Sequence, residues 1–121
     1  MTYAVSPSTK IITVILNDVV TLEDCVQPFT SLLAQSIFQP GMQMLVDATG
    51  IRPRLSSADL RALVSDARKL LDAGISSIAV VASSDFVYGL ARAFSIYADI
   101  EGLKAAAFRT QGEARLWLEE G

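Results

Sequence analysis

The chain alternates between two kinds of apolar pattern, and this alternation constrains its fold more than any other feature. Apolar runs of strand length, such as "MQMLVD" (Met42–Asp47) and "SSIAVVA" (Ser76–Ala82), are each followed by a longer segment in which apolar residues recur every three or four positions. Strands that alternate with helices are typical of α/β folds, in which right-handed crossovers make neighbouring strands parallel. The pattern therefore predicts an α/β fold with a single, mostly parallel sheet.

Two apolar runs near the N-terminus predict an antiparallel addition to this sheet. "TYAV" and "IITVIL" (Ile11–Leu16) are separated by "SPST", whose Ser and Pro residues favour a turn, so we expect an N-terminal antiparallel hairpin. "LKAAAF" (Leu103–Phe108) suits a strand or a helix by composition, but Gly102 before it and the helix-start signal "TQGE" after it favour a strand. The parallel strands are predicted at Met42–Asp47, Ile78–Ala82 and Lys104–Phe108.

About four helices are predicted, and three of them begin with the same signal. Thr21, Ser56 and Thr110 are each followed three positions later by an acidic residue, which is the spacing of a capping box. Pro28 should bend the first helix or delay its start. The predicted helices are Thr21 to about Ile37, Ser56–Ala73, Asp85–Ile100 and a last helix after Thr110 that turns Ala114, Trp117 and Leu118 inward.

The third helix carries an aromatic-rich stripe with two interpretations. Phe86, Leu90, Phe94 and Tyr97 recur at helical spacing. Such a stripe is typical of a helix face turned toward the core, and the alternative is that its aromatic rings stack on a ligand.

Composition indicates one folded domain over residues 1–121, with apolar surface to spare. The chain has 121 residues, of which 51% are hydrophobic, and its mean hydropathy of +0.40 is high for so short a chain. We therefore expect a homodimer, with Phe29, Phe38 and Tyr88 as candidates for its exposed edges. The longest apolar runs are of strand length and "MTYAVSPSTK" is not a signal peptide, so we expect a cytoplasmic protein with no integral membrane segment.

The sequence lacks the residues that several kinds of binding and catalysis require. The net charge is −3 and the basic residues are interleaved with acidic ones, as in "RALVSDARKLLD", so nucleic acid is not an expected partner. The chain has no His, no G-x-G-x-x-G after a strand and no G-x-x-x-x-G-K-[ST], which removes the usual triads, zinc sites and phosphate loops. We expect no enzymatic activity, no metal and no cofactor. Cys25, the one cysteine, is predicted to be a core residue.

Carboxylates could still form a pair for acid–base work. Asp18, Asp47 and Asp85 lie at the ends of different elements, and no sequence signal brings any two of them together.

A ligand site is predicted from the architecture instead. Ligands of open α/β sheets bind beyond the carboxyl ends of the strands, where arginines and helix N-termini attract anions. The alternative is that these positions are solvated loop ends and helix caps, with Ser83, Ser84 or Asp85 simply starting the third helix. The candidate ligand-binding residues are Asp47, Thr49, Arg52, Arg54, Ser83, Ser84, Asp85 and Arg109.

The order of these segments, with "MLVDATG", "YGLARAF" and "AFRTQGEARLWL", resembles the STAS-like proteins, the relatives of the bacterial anti-sigma-factor antagonists grouped with the STAS and CRAL-TRIO folds. In the antagonists a partner kinase phosphorylates the second serine of Asp-Ser-Ser-Gly-Leu. The resemblance aligns that segment with "LSSAD" and implies possible phosphorylation of Ser57, although Leu55 and Ala58 replace the Asp and the Gly. From the residues alone, Ser57 is an exposed residue of the first helical turn.

The resemblance implies a non-enzymatic regulatory or protein-interaction module with a regulatory protein as partner. The alternative is a small-molecule binder for an anionic or amphipathic, lipid-like ligand at the carboxyl ends of the strands. CRAL-TRIO relatives bind lipids in an apolar cavity, but a chain of 121 residues is too short to hold a large one beside its core.

Overall fold

The computed structural model describes residues 2–6, 10–16, 21–34 and 39–120, and its elements alternate as the sequence predicts. The strands are β1 (Thr2–Ser6), β2 (Ile11–Ile15), β3 (Met42–Asp47), β4 (Ile75–Val81) and β5 (Lys104–Phe108). The helices are α1 (Leu22–Leu33), α2 (Ser57–Asp72), α3 (Asp85–Ile100) and α4 (Gln111–Glu120).

The strands form one sheet in the order β1-β2-β3-β4-β5. Strands β2 to β5 pair in parallel, which confirms the mostly parallel sheet. Their register aligns the carboxyl ends, since Asp47 lies opposite both Ile15 and Val81, and Val81 lies opposite Phe108. Strand β1 pairs with β2 in the antiparallel direction, and residues 7–9, the turn of the predicted hairpin, lie outside the described residues.

Helices cover both faces of the sheet, but unequally. Because the strand order follows the chain order and each crossover is right-handed, α1, α2 and α3 lie side by side on one face, and α4 packs on the other against β3, β4 and β5. Alternate strand residues therefore enter two cores. The larger core includes Ile12, Met44 and Ile78, and the smaller one includes Leu45 and Ala79.

Element boundaries follow the sequence prediction closely where the local signals are strong. β3, β5 and α3 have the predicted bounds, whereas β4 begins earlier, at Ile75, and ends at Val81. α1 begins at Leu22 without the delay expected from Pro28, because the capping box of Thr21 and Asp24 fixes its start. It ends at Leu33 with Ala34 as its C-cap, and residues 35–38 lie outside the described residues.

The predicted core stripe of α3 needs one correction. Phe94 is buried and Leu90 and Tyr97 are half-buried, but the side chain of Phe86 is 63% exposed. The buried face is instead centred on Val87, Ala91, Phe94, Ser95 and Ala98, because the packing of α3 on β5 rotates the helix away from Phe86.

The residues suggested for the dimer edge are not a shared surface. Phe29 is buried, Tyr88 is half-buried beneath the guanidinium of Arg109, and Phe38 lies outside the described residues.

The connection from α2 to β4 depends on a glycine. Gly74 has a φ of +114°, a conformation that side chains disfavour, and a Cβ there would lie 3.0 Å from the carbonyl oxygen of Gln39 and from the Cα of Pro40. The carbonyl of Gly74 also accepts a hydrogen bond from the N–H of Gly41 at 2.9 Å. The two chain segments that enter β3 and β4 can therefore meet only if this position has no side chain.

We expect Gly74→Ala to lower the free energy of unfolding by about 1–3 kcal/mol, because the methyl group meets backbone atoms and the φ is strained. Gly112→Ala is the control, since Gly112 lies in α4 with ordinary φ and only the Thr110 Oγ1 within 4 Å, at 3.9 Å. It should be neutral or stabilising by up to about 1 kcal/mol. Urea denaturation measures both, and equal effects would contradict this account of Gly74.

Candidate functional site

Asp47 ends β3 at the carboxyl edge of the sheet, where its carboxylate collects three hydrogen bonds. The backbone N–H of Thr49 donates to Oδ1 at 3.0 Å and its hydroxyl donates to the same oxygen at 2.6 Å. The side-chain amide of Gln111, in the first turn of α4, donates to Oδ2 at 3.1 Å. Asp47 thus joins β3 to α4, and Thr49 holds its carboxylate. Gln111 was not among the predicted site residues, since no local signal shows that α4 begins beside β3.

Arg109 follows β5 and anchors the start of α3. Its guanidinium donates to the carbonyl of Ser83 at 2.9 Å and to Oδ1 of Asp85 at 2.7 Å, and its Cζ lies 4.2 Å from the ring centroid of Tyr88. The hydroxyl of Ser84 accepts a hydrogen bond from the N–H of Val87 and caps the helix. Asp85 is 96% exposed at its side chain, so the ion pair contributes little to stability.

Arg52 and Arg54 are arranged differently. Both side chains are exposed, and neither forms a salt bridge or hydrogen bond with any residue that the structure describes. They lie on the loop between β3 and α2, in which residues alternate between the two sides. Ile51, Pro53 and Leu55 turn inward, while the two arginines turn to solvent.

The structure therefore divides the eight predicted residues among three places. Asp47 is bonded to Thr49 and to Gln111 of α4, while Arg109 holds Ser83 and Asp85 next to the cap made by Ser84. Arg52 and Arg54 stand apart on their loop. Asp18 lies outside the described residues, and no hydrogen bond in the described part joins Asp47 to Asp85.

Beneath the loop lies an apolar cavity of about 70 Å³ that opens to solvent. Its walls come from the carboxyl ends of the strands (Val46, Val80), from the inward side of the loop, and from the first turns of α1, α2 and α3. Among the described residues, every lining side chain is apolar apart from the thiol of Cys25. The alternation "IRPRL" at residues 51–55 is the one sequence signal that could indicate it.

Cys25 contributes the one polar group of the cavity wall, and that group is uncharged at neutral pH. The residue is buried, as expected for a core cysteine. Burial raises the pKa of its thiol from 9.0 to about 11, and the negative charges of Asp24 and Asp59 act in the same direction. The thiol therefore stays protonated and is a poor nucleophile.

The two serines at the start of α2 have separate roles. The hydroxyl of Ser56 accepts a hydrogen bond from the N–H of Asp59 at 3.1 Å, and the carboxylate of Asp59 accepts one from the N–H of Ser56 at 2.9 Å. This is the predicted capping box. Ser57 is the first residue of α2 and is exposed, and its phosphorylation stays a prediction.

The described residues contain neither a cluster that could bind a metal ion nor a helix that could span a membrane. No group of three His, Cys, Asp or Glu side chains there could hold a metal ion. None of the helices in the described ranges is long and apolar enough to cross a membrane.

The mostly parallel sheet, with three consecutive helices on one face and α4 on the other, defines an α/β protein. A solved structure supports this class: an uncharacterized protein of the DUF3478 family with a SpoIIAA-like fold, from Shewanella loihica PV-4, matches with a TM-score of 0.62. The two sequences are 18% identical, and the match covers 97% of this chain and 92% of that one. The likeness confirms the predicted fold. No protein-family model and no curated protein matches the chain.

The capping box predicts unequal effects at neighbouring serines. Ser56→Ala should lower the free energy of unfolding by about 1 kcal/mol, because the N–H of Asp59 loses its acceptor. Ser57→Ala should change it by less than about 0.5 kcal/mol, since an exposed first-turn residue makes no such contact. Thermal and urea unfolding of both variants provide the comparison, and a larger loss at Ser57 would contradict the assignment of the cap.

The raised pKa of Cys25 predicts a loss of stability at alkaline pH. The thiol of the unfolded chain ionises near 9.0, whereas that of the folded chain stays protonated up to about 11, so deprotonation favours the unfolded state as pH rises between these values. The expected loss across this window is about 2–3 kcal/mol in the free energy of unfolding.

Cys25→Ala is the control for this pH dependence, because it removes the thiol and leaves every other ionisable side chain in place. Denaturation at several pH values between 8 and 11 should give a flatter profile for Cys25→Ala than for the unmodified chain. Parallel profiles would show that the thiol is not responsible.

Proposed function

We propose that the protein is a non-enzymatic, STAS-like binding module that takes a small amphipathic anion at the carboxyl edge of its sheet. The apolar part of the ligand enters the cavity, and its anionic group lies at the mouth beside Arg52 and Arg54. The observation that carries this proposal is the loop of residues 51–55, which turns three apolar side chains into the cavity and, outward, two arginines that have no partner in the described part of the chain.

The chemistry of the cavity favours an apolar occupant over water. A buried water needs two to four polar partners, and the lining offers only the weakly polar thiol of Cys25. At ~10–15 Å³ for each water-sized probe position, 70 Å³ corresponds to roughly five such positions. This space suits a single ring or a short chain, in agreement with the expectation that the protein holds no large cavity.

The charges at the mouth favour an anionic group. Arg109 has partners of its own, so Arg52 and Arg54 remain as the cations of the predicted anion site. Arginine suits carboxylate or phosphate because its planar guanidinium can donate two hydrogen bonds at once. The positive end of α2, which begins at Ser57 directly after the loop, adds to the attraction.

The described wall of the cavity offers no group suited to acid–base or nucleophilic catalysis, and this supports a binding role. The one titratable side chain of the cavity wall is the thiol of Cys25, and its raised pKa keeps it protonated at neutral pH. We place the protein in the cytoplasm as part of the same proposal.

A regulatory or protein-interaction module is the second candidate function, with a regulatory protein as partner. The observation that favours it is the exposure of Ser57 at the first position of α2, where the STAS-like resemblance implies phosphorylation. A phosphate there would lie at the positive end of the helix, near Arg54 in the chain. Incubation with a cell extract and ATP, followed by mass spectrometry, tests it, and modification at other residues alone would count against it.

Binding of hexanoate and of hexan-1-ol provides the test of the first candidate. Both should raise the melting temperature and shift the amide resonances of residues 51–55, and hexanoate should bind more tightly because it also meets the arginines. Acetate, which lacks the apolar chain, should produce no comparable shift. Equal responses to all three compounds would overturn the proposal.

Two sets of variants locate the binding. Ala91→Leu fills the cavity and should abolish the response to both compounds, whereas Ala62→Leu, a half-buried residue of α2 outside the cavity, should leave it intact. Arg52→Gln with Arg54→Gln should weaken hexanoate binding roughly tenfold and leave hexan-1-ol unaffected. Arg115→Gln, on exposed α4, is the matched charge control.

A further inference from the structure

Helix α3 carries a second apolar stripe on the face opposite its core. Phe86, Gly89, Ala93, Ile96 and Ile100 follow one another at intervals of three, four, three and four residues. Phe86, Ile96 and Ile100 are 63%, 57% and 74% exposed and Gly89 is exposed, whereas Ala93 is half-buried against the core, so the described part of the chain leaves most of this stripe uncovered. A Cβ placed at Gly89 would meet nothing within 4 Å, which shows open space above the helix there.

The spacing of the stripe is that of a two-helix seam. Alternating intervals of three and four residues place apolar side chains along one line, as at the a and d positions of a heptad. A helix that packs on one sheet needs a single apolar face, which α3 already has in Val87, Ala91 and Phe94. The second stripe therefore indicates a second helix as its partner.

Charges beside the stripe identify that partner and its direction. Arg92 and Asp99 are exposed and lie seven residues apart on the same side of the stripe, and their side chains form no salt bridge or hydrogen bond with the described residues. In an antiparallel pair of identical α3 helices, Arg92 of each copy meets Asp99 of the other. In a parallel pair Arg92 of one copy would face Tyr97 of the other copy, so no ion pair would form between Arg92 and Asp99.

Side-chain sizes complement one another in the same arrangement. Antiparallel pairing in this register sets Gly89 against Ile100 of the second copy and Ala93 against Ile96 of the second copy. Each of these two pairs joins one small and one large residue, so the helices can approach closely without voids. Sizes and charges thus favour the same register.

We propose that a second copy of this chain docks on the exposed face of α3, with the two α3 helices antiparallel about a two-fold axis. Such a contact is isologous and closes at the dimer. α3 has 16 residues and is about 24 Å long, so one helix pair buries an area at the low end for specific interfaces. The dissociation constant should be on the order of 10–100 µM.

Sedimentation equilibrium from about 10 µM to about 1 mM tests the dimer. The unmodified chain should shift from a 13.0 kDa monomer toward twice that mass, and Ile96→Glu should remain monomeric throughout. Leu116→Glu is the matched control, because Leu116 is 60% exposed on α4, away from the stripe, and should dimerise normally. A monomeric unmodified chain, or a dimer unaffected by Ile96→Glu, would overturn the proposal.

Charge reversal tests the direction of the helices. Arg92→Asp and Asp99→Arg should each weaken the dimer at least roughly tenfold, because each sets like charges against one another at both ends of the seam. The double variant Arg92→Asp with Asp99→Arg should restore the original affinity, whereas Arg115→Asp on α4 should have no effect. Single reversals without effect, or a double variant that is not restored, would exclude the antiparallel arrangement. Circular dichroism confirms that each variant is folded.

Discussion

Burial of β3 and β4 on both faces is the constraint on which the rest of the structure depends. Leu45 and Ala79 have no exposed surface on the side of α4, and Met44 and Ile78 are buried beneath the other helices. Strands buried on both sides need apolar residues on both faces along most of their length, which is why β3 and β4 contain the continuous apolar runs at residues 44–46 and 78–81. Their parallel direction requires a helical crossover each time and brings the carboxyl ends of β2 to β5 to one edge.

A polar side chain of β3 is accommodated in this layer by hydrogen bonds. Gln43 lies on the face of β3 that α4 covers, and its side-chain amide donates to the hydroxyl of Ser77 at 3.0 Å and to the carbonyl of Leu118 at 2.8 Å. These bonds satisfy the amide nitrogen, which would destabilise the fold if it were buried without a partner. They also connect two strands to the end of α4. The helix is thereby held over the centre of the sheet.

At the carboxyl edge of the sheet, polar side chains form contacts between elements, while apolar side chains line the cavity. This division of roles supports the proposed binding role. Asp47 and Arg109 are used in contacts that connect β3 to α4 and β5 to α3. The apolar side chains of the edge surround a cavity beneath the loop of residues 51–55. Arg52 and Arg54, whose side chains have no partner in the described residues, turn to solvent on that loop. The high mean hydropathy has a comparable explanation in α3, which is apolar on a core face and again on its exposed stripe.

The sequence by itself determined the kinds and order of the elements, the bounds of β3, β5 and α3, and the capping boxes that begin α1 and α2. These follow from periodicity and from contacts between residues three positions apart, which need no knowledge of the rest of the chain. Only the tertiary structure decided which strand-end residues meet. Asp47 contacts Gln111, 64 residues away, and Asp85 contacts Arg109, 24 residues away. Packing on β5 likewise set the rotation of α3 that exposes Phe86, because helical spacing defines a stripe but not the direction in which it faces.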